Sequence, residues 1–217
     1  LTTGILFLIF ALPYFIFVRE RKRTDKHFSM ASLKNAARQV VKTFSQTRRY
    51  PGLFRFLIGR MFYTDAVNTV IFFLGVYIVD EIGFSTGTAE IMLGISIAFA
   101  AVGGFAWGRL VDRIGPKRSL MIVLKLWALV FLWAAFVGFF PVPNWAFWPV
   151  PVLAGIALGG TWTADRPFML RLTPPSRVGE FYGLYGMVGR FSAIVGPALW
   201  GIIVDELGLG RPTAVLT

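Results

Sequence analysis

Six apolar segments follow one another along the 217-residue chain, separated by polar or charged connections. Each segment has close to the roughly 20 residues that a helix needs to cross the hydrocarbon core of a bilayer. The segments run approximately over residues 2–18, 54–79, 90–111, 119–140, 146–169 and 181–204. The pattern predicts an all-α membrane protein with six transmembrane helices.

Every second connection between the apolar segments is basic. Basic residues fill the linker 19–53, the loop 109–118 and the connection 171–180. The other charged connections hold the acids Asp80, Glu81, Glu90, Asp205 and Glu206. Because cytoplasmic connections carry the excess of Lys and Arg, the linker is predicted to be cytoplasmic and the end of the sixth segment to be outside.

The linker 19–53 is too polar to cross a membrane. Apolar residues recur within it at spacings of three and four, with basic residues on another face. The apolar positions are Leu33, Ala36, Ala37, Val40, Val41 and Phe44, and the basic ones are Lys34, Arg38 and Lys42. This pattern indicates a basic amphipathic helix on the inner membrane surface. A helix that binds a regulatory partner, of the calmodulin-target type, is the alternative.

The composition agrees with a membrane protein. Hydrophobic residues make up 56% of the chain and charged residues 15%, against roughly 25% charged residues in soluble domains. The formal net charge is +11, and half of the 22 Lys and Arg lie between Arg19 and Arg55, beside apolar segments. Basic charge in this place indicates topology and argues against a nucleic-acid partner. With no cysteine and the single His27, no metal site and no cofactor are predicted.

Ionisable residues within the apolar segments are candidates for function, because they are costly in a bilayer. The second segment has a polar stripe of Arg60, Thr64 and Asn68, with Asp65 beside it. Asp65 lies about eleven residues beyond the cytoplasmic edge, roughly 16 Å at helical rise, which is near the midplane. It is the first candidate for a group that couples protons or solute, and a structural ion pair is the alternative.

The fifth and sixth segments supply the other candidates. Arg190 lies at a depth similar to that of Asp65, on a helix rich in glycine, and would pair with Asp65 or bind an anionic group such as a carboxylate. Thr161 and Asp165 share one face of the fifth segment. Asp165 and Arg166 lie within two turns of its cytoplasmic end, where a gate is expected.

The loop between the third and fourth segments resembles a signature of the major facilitator superfamily of secondary transporters, G-x-x-x-D-R-x-G-x-[KR]-[KR]. The matching residues are Gly108, Asp112, Arg113, Gly115, Lys117 and Arg118. Pro116 stands where the family often has Arg. The resemblance implies that these six residues latch the helix bundle in one conformational state.

A narrower resemblance covers residues 159–201. The runs from Gly159 to Pro175, from Glu180 to Tyr185 and from Gly189 to Pro197 are similar to the vacuole-effluxer-like branch of the superfamily, which includes fungal vacuolar amino-acid exporters. The Asp65–Asn68 segment also agrees with this branch. The resemblance implies a partial major facilitator fold, roughly helices 6–11 of 12.

This resemblance predicts an organisation and an activity. Residues 1–18 would close the N-terminal half, 19–53 would be the linker, and 54–217 would be the C-terminal half without its last helix. The expected function is secondary active transport of a small polar solute, such as an amino acid, by alternating access. Proton coupling is left open. The residues expected to line the pathway are Asp65, Asn68, Thr161, Asp165, Arg166 and Arg190.

The expected partners are the solute, protons, the lipid bilayer and the missing N-terminal half of the same chain. A multi-pass location in the inner plasma membrane is expected if the source is bacterial. A non-transporting sensor on a transporter fold is one alternative. A membrane-embedded enzyme is the other, and it is disfavoured because no His, Cys or paired-acid constellation lies at either interface.

Overall fold

The computed structural model describes residues 2–17, 38, 42–208 and 210–216. The chain forms two compact units, Leu1–Gln39 and Val40–Thr217. Most of the predicted linker, including His27 and the larger part of its amphipathic helix, lies outside the described residues. The predicted domains 1–18, 19–53 and 54–217 therefore stay a prediction.

The first unit contains one described helix, α1, at Thr2–Phe17. Its large apolar side chains are exposed, as in Phe10 and Phe17. With 16 residues it is shorter than the roughly 20 that span a bilayer, and it carries Pro13 in its interior. Residues 2–17 of the segment predicted at 2–18 are helical, but this helix does not count among those long enough to span.

The second unit is built from helices alone within its described residues. The labelled helices are α2 at Pro51–Val76, α3 at Thr86–Ile114, α4 at Pro116–Phe139, α5 at Pro149–Leu172, α6 at Val178–Gly201 and the short α7 at Arg211–Leu216. Residues 42–47 are also helical, and 3-10 turns occur at Asn144–Phe147 and Pro175–Arg177. Two of these helices continue as a π turn, α2 through Tyr77–Glu81 and α6 through Ile202–Glu206. Four helices of the described chain are long and apolar enough to cross a membrane, namely α2, α3, α4 and α6 with their extensions. The all-α membrane fold predicted from the sequence is confirmed.

The fifth predicted segment, 146–169, differs from the prediction in its polarity. It forms the 24-residue helix α5, but this helix is not among the four apolar spans. Prolines, glycines and threonines lower its hydropathy, together with Asp165 and Arg166. The glycines among these residues allow α5 to pack closely between α3 and α4.

Glycines bring α3 and α5 into backbone contact. A methyl group at Gly155 would lie 2.3 Å from the Ser96 carbonyl oxygen, and one at Gly159 would lie 2.3 Å from the Ala100 carbonyl oxygen. The close approach lets side chains of α3 reach the backbone of α5: Trp107 Nε1 donates to the Ile156 carbonyl at 3.0 Å. Small residues therefore fix this pair of helices, as is usual in membrane bundles.

Two apolar clusters form the core of the second unit. One includes Leu53, Leu57 and Phe181, and the other includes Val67 and Met92. On α2 the residues between Leu57 and Val67 are therefore flanked by apolar packing on both sides. Arg60 and Asp65 fall into this interval, which places their charges between the two clusters.

Candidate functional site

The buried carboxylate of Asp165 joins three helices. Arg60 Nε of α2 donates to its Oδ2 at 3.0 Å, and the Tyr185 hydroxyl of α6 donates to the same oxygen at 2.7 Å. The Tyr63 hydroxyl donates to Oδ1 at 2.5 Å. Asp165 is 4% exposed and Arg60 is 8% exposed, so the ion pair lies inside the bundle. We call Arg60, Tyr63, Asp165 and Tyr185 the charge cluster.

Arg60 makes further contacts that fix its guanidinium group. Its Nη1 donates to the Tyr185 carbonyl oxygen at 3.1 Å, and its Cζ lies 3.7 Å from the centre of the Tyr185 ring. A methyl group at Gly189 would lie 2.7 Å from Nη1, so the absence of a side chain there makes room for the cation. A planar guanidinium is suited to pairing and stacking at the same time. The charge cluster is therefore pre-organised and electrically balanced.

The sequence analysis found part of this cluster. It named Asp165 as a site candidate and placed Arg60 in the polar stripe, but it did not pair them and did not name Tyr63 or Tyr185. The spacing from Arg60 to Tyr63 was a usable signal, because residues three apart share a helix face. Nothing in the sequence identified Tyr185 as their common partner on another helix.

Thr161 lies one turn before Asp165 and also bonds inside the bundle. Its Oγ1 accepts a hydrogen bond from Trp127 Nε1 of α4 at 2.9 Å and donates to the Ala157 carbonyl at 2.9 Å. Its hydroxyl is therefore occupied by protein groups, and the structure does not present it as an open solute ligand.

Asp65 contacts the backbone of α6. Its Oδ1 accepts a hydrogen bond from the Gly196 N–H at 2.8 Å. Thr69, one turn further along α2, is 8% exposed, and its Oγ1 has no hydrogen-bond partner within the described residues. Asp65 and Arg190 form no ion pair in the described chain, so the structure does not bring together the two residues that the sequence analysis considered as partners.

A cavity of about 690 Å³ lies beside Asp65, between α2, α4 and α6. Most of its lining is apolar, with Phe62 and Leu124 as examples. Polar atoms reach it from Asp65, Thr69 and Lys117, among others. The cavity therefore combines an apolar wall with a few charged and hydroxyl groups.

The remaining candidates for the pathway lie on open faces of the helices. Arg166 and Arg190 are exposed, Asn68 is half-buried, and no hydrogen bond or ion pair of these three occurs within the described residues. The residues around Arg190 on its face are small: a methyl group at Gly183 or Gly186 would meet nothing within 4 Å. This face of α6 therefore has open space beside the permanent positive charge of Arg190.

The loop residues predicted to form a latch make no hydrogen bond or ion pair with the charge cluster within the described residues. Gly115 ends α3 with a φ of 84°, in the region that favours glycine, and Pro116 begins α4. Asp112, Arg113 and Arg118 are exposed and Gly108 is half-buried. Asp112 and Arg113 have no ion pair in the described part of the chain, so the latch itself stays a prediction. Lys117 reaches the cavity beside Asp65.

No group of His, Cys, Asp and Glu that could hold a metal ion occurs among the described residues. The polar groups of the site are instead arginines, carboxylates and hydroxyls. Such a set can balance charge, orient a polar solute and exchange protons.

Comparison with known proteins supports a transporter family. A bacterial relative is an uncharacterized MFS-type transporter of Bacillus subtilis, 26% identical over 92% of this chain and 45% of the relative. Fungal relatives include Autophagy-related protein 22-1 of Neosartorya fischeri, 24% identical over 98% of this chain and 38% of the relative. Another is Autophagy-related protein 22-1 of Phaeosphaeria nodorum, 28% identical over 90% of this chain and 36% of the relative.

The chain spans less than half the length of these curated relatives. No solved structure gives a significant match to it. The name of the bacterial relative is that of a transporter and the description of the matching family is that of an effluxer, so the expectation that the chain is not an enzyme is confirmed. The family described as "Vacuole effluxer Atg22 like" matches residues 1–216, and the chain belongs to this family, as the resemblance in its sequence implied.

Proposed function

We propose that the chain is part of a secondary transporter that moves a small polar solute, an amino acid or a similar molecule, across a membrane by alternating access. The family description, an effluxer, and the name of the bacterial relative, an MFS-type transporter, support this proposal. A multi-pass transporter is built from apolar helices of spanning length, and the described chain has four of them. The direction of transport proposed from the family description is export.

The observation that carries the proposal is the position of Arg190. It lies in the middle of the apolar helix α6, exposed and without an ion pair among the described residues. A cation in this place is too costly to face lipid, so we assign it to a water-filled path or to a contact with another part of the protein. Arg190 would bind an anionic group of the solute, and a carboxylate matches the two-pronged donor geometry of a guanidinium group.

The other candidates take supporting parts in this proposal. Asn68 and Arg166 would line the path beside Arg190. Asp165 and Thr161 would hold α2, α4, α5 and α6 in register through the contacts described above. The loop Gly108–Arg118 would act as the latch between conformational states, as in the superfamily that it resembles. The N-terminal half of the protein would supply the opposite wall of the path, and the linker 19–53 would lie in the cytoplasm.

We expect Arg190→Gln to reduce solute flux by about tenfold or more, because a hydrogen bond to a charged group contributes about 1.5–3 kcal/mol to binding. The full-length protein in sealed vesicles would be offered a panel of labelled amino acids and sugars. Arg190→Lys keeps the charge but not the two-pronged geometry, so its flux should fall between that of the wild type and that of Arg190→Gln.

Lys125→Gln is the matched control, because Lys125 is an exposed basic residue on α4 to which no function is assigned. Equal flux in Arg190→Gln and Lys125→Gln would rule out a solute contact by Arg190. If the wild-type protein moves none of the offered solutes, the non-transporting sensor becomes the better explanation.

A further inference from the structure

The second unit includes the last residues of the predicted linker. Residues 42–47 form a helix, and the chain then turns before α2 begins at Pro51. The Tyr50 N–H donates to the Thr47 carbonyl oxygen at 2.8 Å and closes this turn. We call residues 42–50 the linker end. The compact second unit therefore starts before α2, within the predicted linker.

Buried side chains hold the linker end in the second unit. Thr47 is 0% exposed and Thr43 is 5% exposed, although both belong to a polar segment. The ring of Tyr50 meets the ring of Phe181 edge to face, with centroids 5.8 Å apart, and Phe181 is completely buried near the start of α6. Such a ring pair contributes more than the area that it buries. The linker end is therefore packed against α6 as well as joined by the chain to α2.

Arg177 adds a polar contact between the linker end and α6. Its Nη2 donates to the side-chain oxygen of Gln46 and also to Glu180 Oε2, the latter at 2.7 Å. Its Cζ lies 5.5 Å from the centre of the Phe181 ring, which is the ring that Tyr50 contacts. Arg177 directly precedes α6, and Glu180 lies in the first turn of that helix. We call the contacts of Arg177 with Gln46 and Glu180 the Arg177 bridge.

We propose that the Arg177 bridge makes the linker end move together with α6, so that motion of the linker reaches the solute site through this helix. The inference rests on the proposed transport function and adds a control of the same site. In that function the linker joins two halves that rock against each other, so their motion displaces it. Arg190 lies about 15 Å beyond Glu180 along α6 at helical rise. A displacement of the first turn of α6 therefore acts on the helix that carries the proposed solute contact.

The bridge is weak, whereas the packing beneath it is strong. The side chains of Arg177 and Glu180 are 30% and 36% exposed, and ion pairs that water can reach contribute little to stability. Thr47 and Phe181, in contrast, are 0% exposed. We therefore expect loss of the bridge to loosen the linker end locally without unfolding the helix bundle.

The test uses a charge reversal and its compensating partner in the full-length protein. Arg177→Glu places two carboxylates three residues apart, where like charges repel each other, and so breaks the bridge. Adding Glu180→Arg restores the ion pair with exchanged signs. Gln46 can contact a group of either sign, because its amide has both an acceptor oxygen and a donor NH2 group. The double variant should therefore restore the bridge.

A spin label at Ser45→Cys reports on the bridge without any need for transport. Ser45 is exposed, and this chain has no cysteine of its own; cysteines elsewhere in the protein are replaced. We expect the mobile population of the label to rise by up to about fivefold in Arg177→Glu, as for the loss of an exposed ion pair. It should return to the wild-type value in the double variant. Arg48→Gln is the matched control, because Arg48 is exposed and has no ion pair within the described residues, so it should leave the label unchanged.

Solute flux in vesicles then shows whether transport uses the bridge. We expect Arg177→Glu to lower the maximal rate by up to the same factor while the KM for the solute stays constant, because Arg190 is untouched. The double variant should recover the rate, and Arg48→Gln should keep it. A purely structural role of Arg177 would lower the amount of folded protein and leave the flux per folded transporter as it is in the wild type.

The outcomes separate this inference from the transport proposal. Unchanged label mobility in Arg177→Glu overturns the bridge, and so does a double variant that restores neither readout. A more mobile label with wild-type flux overturns the coupling to α6 and leaves transport intact. Absence of solute flux in the wild type overturns the transport proposal, and the label still decides whether the bridge holds the linker end.

Discussion

Replacing Asp165 with asparagine is expected to lower the free energy of unfolding by about 3–5 kcal/mol, the cost of leaving one member of a buried ion pair alone. Arg60 would keep its charge in an interior where the carboxylate is its ion-pair partner. Tyr63 and Tyr185 donate to different oxygens of the carboxylate, and asparagine keeps one of these acceptors, so one hydroxyl can still donate to it. The other hydroxyl meets the amide NH2 group and would have to accept instead, so charge balance and part of the hydrogen bonding are lost. Thermal unfolding in detergent would measure the change.

A second variant separates charge balance from packing. Removing both charges, with Arg60→Met and Asp165→Asn together, should recover most of the lost stability, because a buried pair is often replaceable by neutral groups. Arg166→Gln is the matched control: Arg166 is the next residue of α5, is exposed, and should change stability by less than about 0.5 kcal/mol. Equal losses in Asp165→Asn and Arg166→Gln would mean that the charge cluster does not hold the bundle together.

Gly159→Ala is expected to have the other large effect, a loss of about 2–3 kcal/mol in the free energy of unfolding. The added methyl group would lie 2.3 Å from the Ala100 carbonyl oxygen and 2.7 Å from the Gly104 nitrogen, which are backbone atoms of α3. Backbone atoms cannot rotate away as side chains do, so α3 and α5 would have to separate. The same unfolding measurement applies.

Gly94→Ala provides the control on α3. A methyl group at Gly94 meets nothing within 4 Å, so the gain in helix propensity should dominate and raise stability by a fraction of a kcal/mol. The two glycine-to-alanine changes are therefore expected to have opposite signs. A similar small gain for Gly159→Ala would show that α3 and α5 are not in close contact there.

The apolar pattern predicted most of the helices within a few residues, because span length and hydrophobicity are local properties of the chain. Two predicted spans differ in kind: α1 is too short to be counted as a span, and α5 is less apolar because of the same glycines that let it pack against α3. The charge cluster could not be predicted in full, since Tyr185 and Asp165 meet only after α5 and α6 have folded together. The partner of Asp65 was even less predictable, because it is a backbone N–H of Gly196, which no sequence pattern marks as a donor.

The π turns at the ends of α2 and α6 have a mechanical consequence. A π turn contains an extra residue, so one carbonyl at its junction with the α-helix loses its usual donor. The 31-residue helix Pro51–Glu81 is therefore not a uniform α-helix, and its hydrogen-bond pattern changes at Tyr77–Glu81. When the bundle changes conformation, we expect α2 and α6 to bend at these π turns, which carry their acidic ends. The part of α2 around Arg60 should keep its geometry, because it is held by a buried ion pair.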